Sequence, residues 1–477
     1  MSEYTEVEQP FLRQLDSLQW SVIDQGSDIP QNPANSMRRN FRQWLLPDVF
    51  CDAIAKINTT PAGEPWLTNK QLQDLQEHIL RQPNRTLLEA NEAVQKLLFK
   101  TQVDVNELTG EQDPVVKLID FANPENNQFH AINQFRIDTP GCVKQFIIPD
   151  IVLFVNGIPL VVIECKKGGP TCANPMHEAF EQLQRYMNQR QATAQHGLKE
   201  GEPRLFHCNL LLIRTCVLEA DFGTITSGLE HYFSWKTQWP QPDEIAQTMN
   251  QQEQLINGIL NKSNLLKILR TSTVFMDTGS GPRIKVVCRY QQFRAACKIV
   301  ERLRNGTNVT EKSGVVWHTQ GSGKSLTMVF VARMIRASRD LNDYKILLIN
   351  DRVDLEDQLS KTATLIGGRI TTIENTRELR AKLCSDSSDV NMVMVHKFQE
   401  REQALPNCVA EALGTYEAIP SSKTFGIVNE SDRILLMIDE AHRTQGSDLG
   451  DNIFEAFPNA ARIAFTGTPL ITERHGE

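Results

Sequence analysis

Asp150, Glu164 and Lys166 place two carboxylates and an ammonium at the ends of two apolar runs, in the stretch PDIVLFVNGIPLVVIECK at 149–166. Neighbouring carboxylates bind Mg²⁺ through hard oxygen ligands. The ion, helped by a nearby ammonium, can lower the pKa of an attacking water and offset charge on a phosphate. The pattern is P-D…E-x-K. Its bland counterpart is a hairpin that ends in an ordinary surface Glu/Lys pair.

Register decides between the two. Asn156-Gly157 flanked by apolar runs is a strong hairpin signal, and Glu164 and Lys166, two apart, share one face of the second strand. A two-residue loop pairs Val155 with Ile158, sets Asp150 opposite Ile163 and sends Glu164 to the other face. A three-residue loop, with Gly157 left-handed and a bulge beside it, pairs Phe154 with Ile158 and brings all three side chains to one face. The second register is the expectation. Downstream, AFEQLQRYMNQR at 179–190 reads as a helix, with Gln182 and Tyr186 at i,i+4 on one side.

A second constellation occupies VVWHTQGSGKSLT at 315–327, an apolar strand, a glycine loop and an apolar helix. Gly321, Ser322 and Gly323 offer backbone amides to phosphate, Lys324 reaches the outer phosphates of ATP, and the Ser325 hydroxyl can ligate Mg²⁺. His318 stands where the strict G-x-x-x-x-G-K-[ST] pattern has its first glycine. RILLMIDEAH at 433–442 reads as a buried strand ending in Asp-Glu-Ala-His. There Asp439 is placed to hold Mg²⁺, Glu440 to orient and deprotonate the attacking water, and His442 to sense the nucleotide state.

These groups need elements to carry them. Apolar positions from Val7 to Trp20 predict a first helix, and 41–99 reads as helical with breaks at Pro61–Pro65 and Pro83. The runs at 115–121 and 129–137 read as strands entering the hairpin, with His130 a strand residue without a metal role. HCNLLLIRT at 207–215 reads as a buried strand and 222–225 as a short one. The polar, Pro/Gln-rich stretch 238–254 reads as a connection between domains, followed by an amphipathic helical stretch at 255–269.

Composition bounds the class. The chain has 477 residues, enough for two or three domains, with 40% hydrophobic and 23% charged residues. A net charge of −8 excludes a histone-like binder and leaves any nucleic acid to local basic patches. The ten cysteines form no zinc-like spacing and suit reduced core thiols. MSEYTEVEQP lacks an apolar signal region, and no apolar run approaches a bilayer span, so a cytoplasmic protein without a membrane part is expected.

The hairpin acids followed by Gln-x-x-x-Tyr resemble the PD-(D/E)xK nuclease fold, in the form found in type I restriction subunits. Similar nucleases place an acidic residue of the first helix near the metals. Glu8 is the candidate here, with solvation as its weightier reading. From Val286 onward the chain resembles superfamily 2 helicases and translocases. Gln292, favoured over Gln291, looks like the adenine-reading glutamine; Arg352 and Gln358 fall in the Ia element, and His396 in a DNA-contact loop. Thr466 and Thr468 of AFTGTP match element III.

Together these resemble the restriction (R) subunit of a type I restriction–modification enzyme, since type III subunits place the nuclease after the motor. The resemblance implies an α/β chain: a mixed-sheet PD-(D/E)xK domain over 1–240, a connection over 241–282, and a first RecA-like lobe over 283–477. It implies Asp150, Glu164, Ser325 and Asp439 as metal ligands, ATP and Mg²⁺ as cofactors, and double-stranded DNA with methyltransferase (M) and specificity (S) subunits as partners. The second RecA-like lobe and its arginine finger are missing from this stretch, so an N-terminal part of a longer protein, or a truncated gene product, is expected, and the stretch alone should hydrolyse ATP little. A stand-alone repair helicase–nuclease, or a degenerate DNA-binding first domain, remain the other readings.

Overall fold

The computed structural model describes residues 2–477 apart from 84, 171, 279–280, 318–322, 351–369, 374–381, 385–386, 395–425, 440–452 and 468–477. It divides into two compact units, Met1–Tyr290 and Gln291–Glu477.

In the first unit a six-stranded mixed sheet runs, in spatial order, β1 (Ser21–Ile23), β2 (Phe129–Asn133), β3 (Ile151–Val155), β4 (Ile158–Cys165), β5 (Leu211–Cys216) and β6 (Glu219–Gly223). The β1–β2 and β4–β5 pairs are parallel and the others antiparallel. Every residue of β3 and β4 is buried, as expected of continuous apolar runs covered on both faces.

The loop between β3 and β4 corrects the expected register. Val155 pairs with Ile158, so the loop is the two-residue one, with Asn156 at φ 51° and Gly157 at φ 75°. That pair of left-handed residues makes a turn matching strand twist. The side chain of Asn156 is buried and holds the turn, donating to the carbonyl oxygen of Leu118 and accepting from the backbone N–H of Gln128. A Cβ on Gly157 would stand 2.6 Å from the Leu46 carbonyl oxygen, so the close approach there requires glycine.

The bulge lies deeper than expected. Phe154 pairs with Pro159 but Leu153 with Val161, leaving Leu160 as the extra residue. The register beyond it, Ile151 with Ile163, continues to set Asp150 across from Glu164. The expected common face is therefore reached by a different route.

Helix α1 (Gln9–Ser17) follows a π-helical turn at Tyr4–Glu8. α2 (Pro47–Ile57), α3 (Asn69–Leu80) and α4 (Leu87–Phe99) fill the predicted helical stretch. Thr68 with Gln71, and Thr86 with Glu89, form capping boxes at the starts of α3 and α4. α5 (Pro175–Tyr186) starts at Asn174, whose side chain accepts from the His177 amide, and buries Ala179, Leu183 and Tyr186 along one side.

Residues 115–121 contribute only a two-residue strand, Val115–Val116, and His207 closes a 3₁₀ turn before β5. The stretch 241–282, expected as a connection, is packed into the first unit. α6 (Gln251–Ile259) and α7 (Lys262–Thr271) bury Leu255, Ile256, Ile259, Leu265 and Leu269, and β7 (Thr273–Asp277) pairs with β8 (Arg283–Val287).

The second unit carries a parallel sheet. Among the described residues its strands are β9 (Gly314–Trp317), β10 (Lys345–Asn350), β11 (Ile370–Ile373), β12 (Val390–Met394), β13 (Ile434–Asp439) and β14 (Ala461–Thr466), in the order β9-β14-β13-β10-β12-β11. All pairs are parallel. β13 is buried throughout, as its apolar run demands. β9 and α9 (Lys324–Ala337) flank the glycine loop in sequence, and α8 (Tyr290–Asn305) lies upstream of β9.

Candidate active site

The end of β4 and the residue before β3 bring the predicted acids together. Glu164 is 1% exposed and Asp150 7%. The Lys166 ammonium donates to Glu164 Oε1 at 2.6 Å and to the Cys165 carbonyl at 2.8 Å, and stands 3.5 Å from Asp150 Oδ2. The same Asp150 oxygen accepts from the Cys165 backbone N–H at 2.7 Å. The three side chains converge on one side of the ribbon, so the surface-pair reading does not describe them.

Glu8, the first-helix candidate, joins this cluster together with two residues that no motif marked, Gln134 and Glu3. Glu8 is 3% exposed rather than solvated, and accepts from the Gln134 side chain at 2.9 Å. Gln134 sits just after β2 with φ 46°, and its own N–H donates to the Asp150 carbonyl at 2.8 Å. It thus ties the first helical segment to the acidic strand. Glu3 lies 3.6 Å from the Lys166 ammonium. Neither Glu3 nor Gln134 belongs to a local motif; the acidic run of the first eight residues was the available hint for Glu3.

Burial sets the charges. Desolvation first raises the carboxyl pKa of Glu164 well above the ordinary value, with the charge of Asp150 adding to it, and desolvation with the charge of Glu3 raises that of Asp150, in both cases against the pull of Lys166. Glu8 is pushed up to about 7, by burial first and by Asp150 second. Burial disfavours the charged form of Lys166, but Glu164, Asp150 and Glu3 override it and raise the ammonium's pKa. Burial thus resists ionisation of the three acids, while the acids together hold Lys166 protonated.

Its donors suit a divalent metal ion. One carboxylate oxygen from each of Glu3, Glu8 and Asp150 lies within 4.8 Å of the others. Glu164 is not in that set, but its Oε2 is buried without a hydrogen-bond partner. A buried carboxylate oxygen with no donor is costly, and a hard cation satisfies it.

Gln182 and Tyr186 act one layer out. The Gln182 amide donates to the Tyr186 hydroxyl at 2.8 Å, and that hydroxyl donates to the Ile148 carbonyl at 2.8 Å. Their contacts hold the chain two residues before Asp150 to α5.

In the second unit Gly323 caps α9 at φ 87°, and the Gln292 side chain donates to its carbonyl at 3.1 Å. Gln292 is buried whereas Gln291 is exposed. Lys324, first residue of α9, lies 3.5 Å from Asp439 at the end of β13. Ser325 follows it, half-buried, and Thr466 ends β14. An ammonium and a carboxylate thus meet at the carboxyl ends of parallel strands beside a helix N-terminus, where phosphates bind in such sheets. His318, Gly321, Ser322, Arg352, Gln358, His396, Glu440, His442 and Thr468 lie outside the described residues.

The second unit is a parallel sheet in which a lysine at a helix start faces a strand-end aspartate, and residues 291–476 match the family model described as SWI2/SNF2 ATPase. Residues 1–243 match the one described as type I restriction enzyme R protein N terminus. The chain belongs to that family. It is 28% identical to the type I restriction enzyme HindI endonuclease subunit of Haemophilus influenzae, over 99% of this chain and 43% of the relative. It is 25% identical to the putative type I restriction enzyme MjaIXP endonuclease subunit of Methanocaldococcus jannaschii, over 97% of this chain and 42% of the relative. The chain spans less than half the length of these curated relatives. Among the described residues no helix is long and apolar enough to cross a membrane.

Proposed function

We propose that this chain supplies the nuclease and the first motor lobe of a type I restriction subunit. In this reading it couples ATP-driven movement along double-stranded DNA to Mg²⁺-dependent strand cleavage away from the recognition site. It would work in the cytoplasm with methyltransferase (M) and specificity (S) subunits. The observation that carries the nuclease half is the convergence of Asp150 and Glu164 on Lys166, in a chain of this family.

Asp150, Glu164 and Glu8 would hold the ion. When bound, Mg²⁺ lowers the pKa of the attacking water and offsets charge on the scissile phosphate. Lys166, kept protonated by its acidic neighbours, presents a fixed positive charge to that phosphate. Gln182 and Tyr186 position Asp150 through the Ile148 carbonyl. In the motor, Gln292 would read adenine while its amide holds the loop at Gly323. Gly321, Ser322 and Gly323 would cradle the phosphates, Lys324 would exchange Asp439 for the outer phosphates, and Ser325 and Asp439 would share the metal. Glu440 would orient the water, and His442 would report the nucleotide state.

The test is DNA cleavage by the full complex carrying Lys166→Ala, with ATP hydrolysis measured in parallel. Lost cutting with hydrolysis retained is the expected result. Wild-type cutting would remove the nuclease assignment. Co-purification with M and S subunits separates this reading from that of a stand-alone repair helicase–nuclease.

A further inference from the structure

The chain begins with a π-helical turn at Tyr4–Glu8, with Glu3 as its N-cap and the Gln9 amide donating back to the Tyr4 carbonyl. That geometry gives Glu3 a position its spacing would deny it on an α-helix. Five residues at about 100° each leave two side chains about 140° apart, on different faces. The wider i→i+5 turn returns the fifth residue towards the same side, and such turns cluster at functional sites. Here Glu3 and Glu8 both reach Asp150, with one oxygen of each within 4.8 Å of the others.

Glu3 is held in place there. One of its oxygens accepts from the Lys167 backbone N–H at 3.0 Å, and the Lys167 ammonium is paired with Glu6 at 2.7 Å. The other oxygen faces Lys166 at 3.6 Å, too long for a hydrogen bond. It can therefore turn to a cation without giving one up.

Three acids near one another are not by themselves a site. The independent observation is Glu164, 1% exposed, whose Oε2 has no hydrogen-bond partner. Its other oxygen binds the same Lys166 ammonium that Glu3 and Asp150 face. A buried carboxylate oxygen left without a donor, beside Asp150 and Glu3, calls for a cation.

We propose that Glu3 is a ligand of the divalent ion at this centre, joined to Asp150 and Glu8 by the π-turn. The inference rests on the nuclease reading above and adds to it a residue from outside the hairpin. With the ion bound, Glu3 leaves Lys166, which then keeps Glu164 and Asp150 as its partners.

The experiment is Mn²⁺ binding to the nucleotide-free 477-residue chain, followed by electron paramagnetic resonance. Asp150→Asn identifies the signal that belongs to this centre. Glu3→Gln is expected to weaken that component roughly tenfold or more, whereas Glu6→Gln, which breaks only the Lys167 pair, leaves it unchanged. Unchanged affinity in a folded Glu3→Gln chain overturns the proposal and leaves the nuclease reading standing. A wild-type signal indistinguishable from that of Asp150→Asn overturns both. Should Glu3→Gln fail to fold, Glu3→Asp keeps the charge on a shorter arm. Weaker Mn²⁺ binding by that variant supports the ligand role, and wild-type binding overturns it.

Discussion

The Lys166 ammonium lies 2.6 Å from Glu164 Oε1, two residues back along the same side of the strand, with the carboxylate almost wholly buried. Breaking a buried pair by removing one partner strands the other charge, at a cost of about 3 kcal/mol or more. Lys166→Met should therefore lower metal-free stability by about that amount, read from thermal or urea unfolding in EDTA. A Glu164→Gln, Lys166→Met double variant should recover most of the loss, and additive losses would mean that the pair is not coupled.

Glu8 makes metal-free stability pH-dependent. Its carboxyl pKa is raised from 4.5 to about 7 by burial and by Asp150, so the folded state holds a proton that the unfolded state gives up. The stabilisation is complete below about pH 4.5 and is lost as pH rises through about 7. Unfolding midpoints in EDTA should fall across that window, and Glu8→Gln should flatten the slope. The stabilisation added by Mg²⁺ should grow over the same range, because the ion must displace the proton.

Tyr186→Phe tests positioning. It removes the hydroxyl that joins Gln182 to the Ile148 carbonyl, a hydroxyl whose hydrogen bonds go to these two groups and not to the acids. Cleavage by the full complex should fall about tenfold, the scale on which outer-layer partners of a metal site act. ATP hydrolysis should stay at the wild-type rate, and equal losses in both would point to a general folding defect.

Gly323→Ala tests the nucleotide side. At φ 87° a side chain is strained, and the new Cβ would stand 2.5 Å from the Gln292 amide nitrogen. The left-handed conformation costs about 1–2 kcal/mol. Displacing Gln292 as well should bring the loss of affinity for a fluorescent ATP analogue to about tenfold or more. Mn²⁺ binding at the Asp150 centre should be unaffected.

The amino-acid sequence alone determined those features that are written within a few neighbouring residues. Two apolar runs around Asn156-Gly157 make a hairpin, and i,i+4 spacing stacks Gln182 on Tyr186. A strand–glycine–helix passage brings Lys324 to a helix start, and an apolar run ends at Asp439. Each follows from short-range periodicity and backbone sterics, which need no knowledge of the rest of the chain.

Tertiary structure decided what depends on distant partners. The bulge at Leu160 falls where Pro159 meets Phe154, one pair in from the turn that Leu46 packs against. Its position sets which carboxylates meet, and no local pattern marks it. Glu8 is buried rather than solvated because Gln134, 126 residues away, supplies a donor and a link to Asp150. Residues 238–254 look like a polar connection and 255–269 like an amphipathic helix, yet only the fold shows that both pack into the first unit, where α6 and α7 bury their apolar side chains. Burial energy and charge pairing are properties of the assembled neighbourhood, and only the folded chain brings that neighbourhood together.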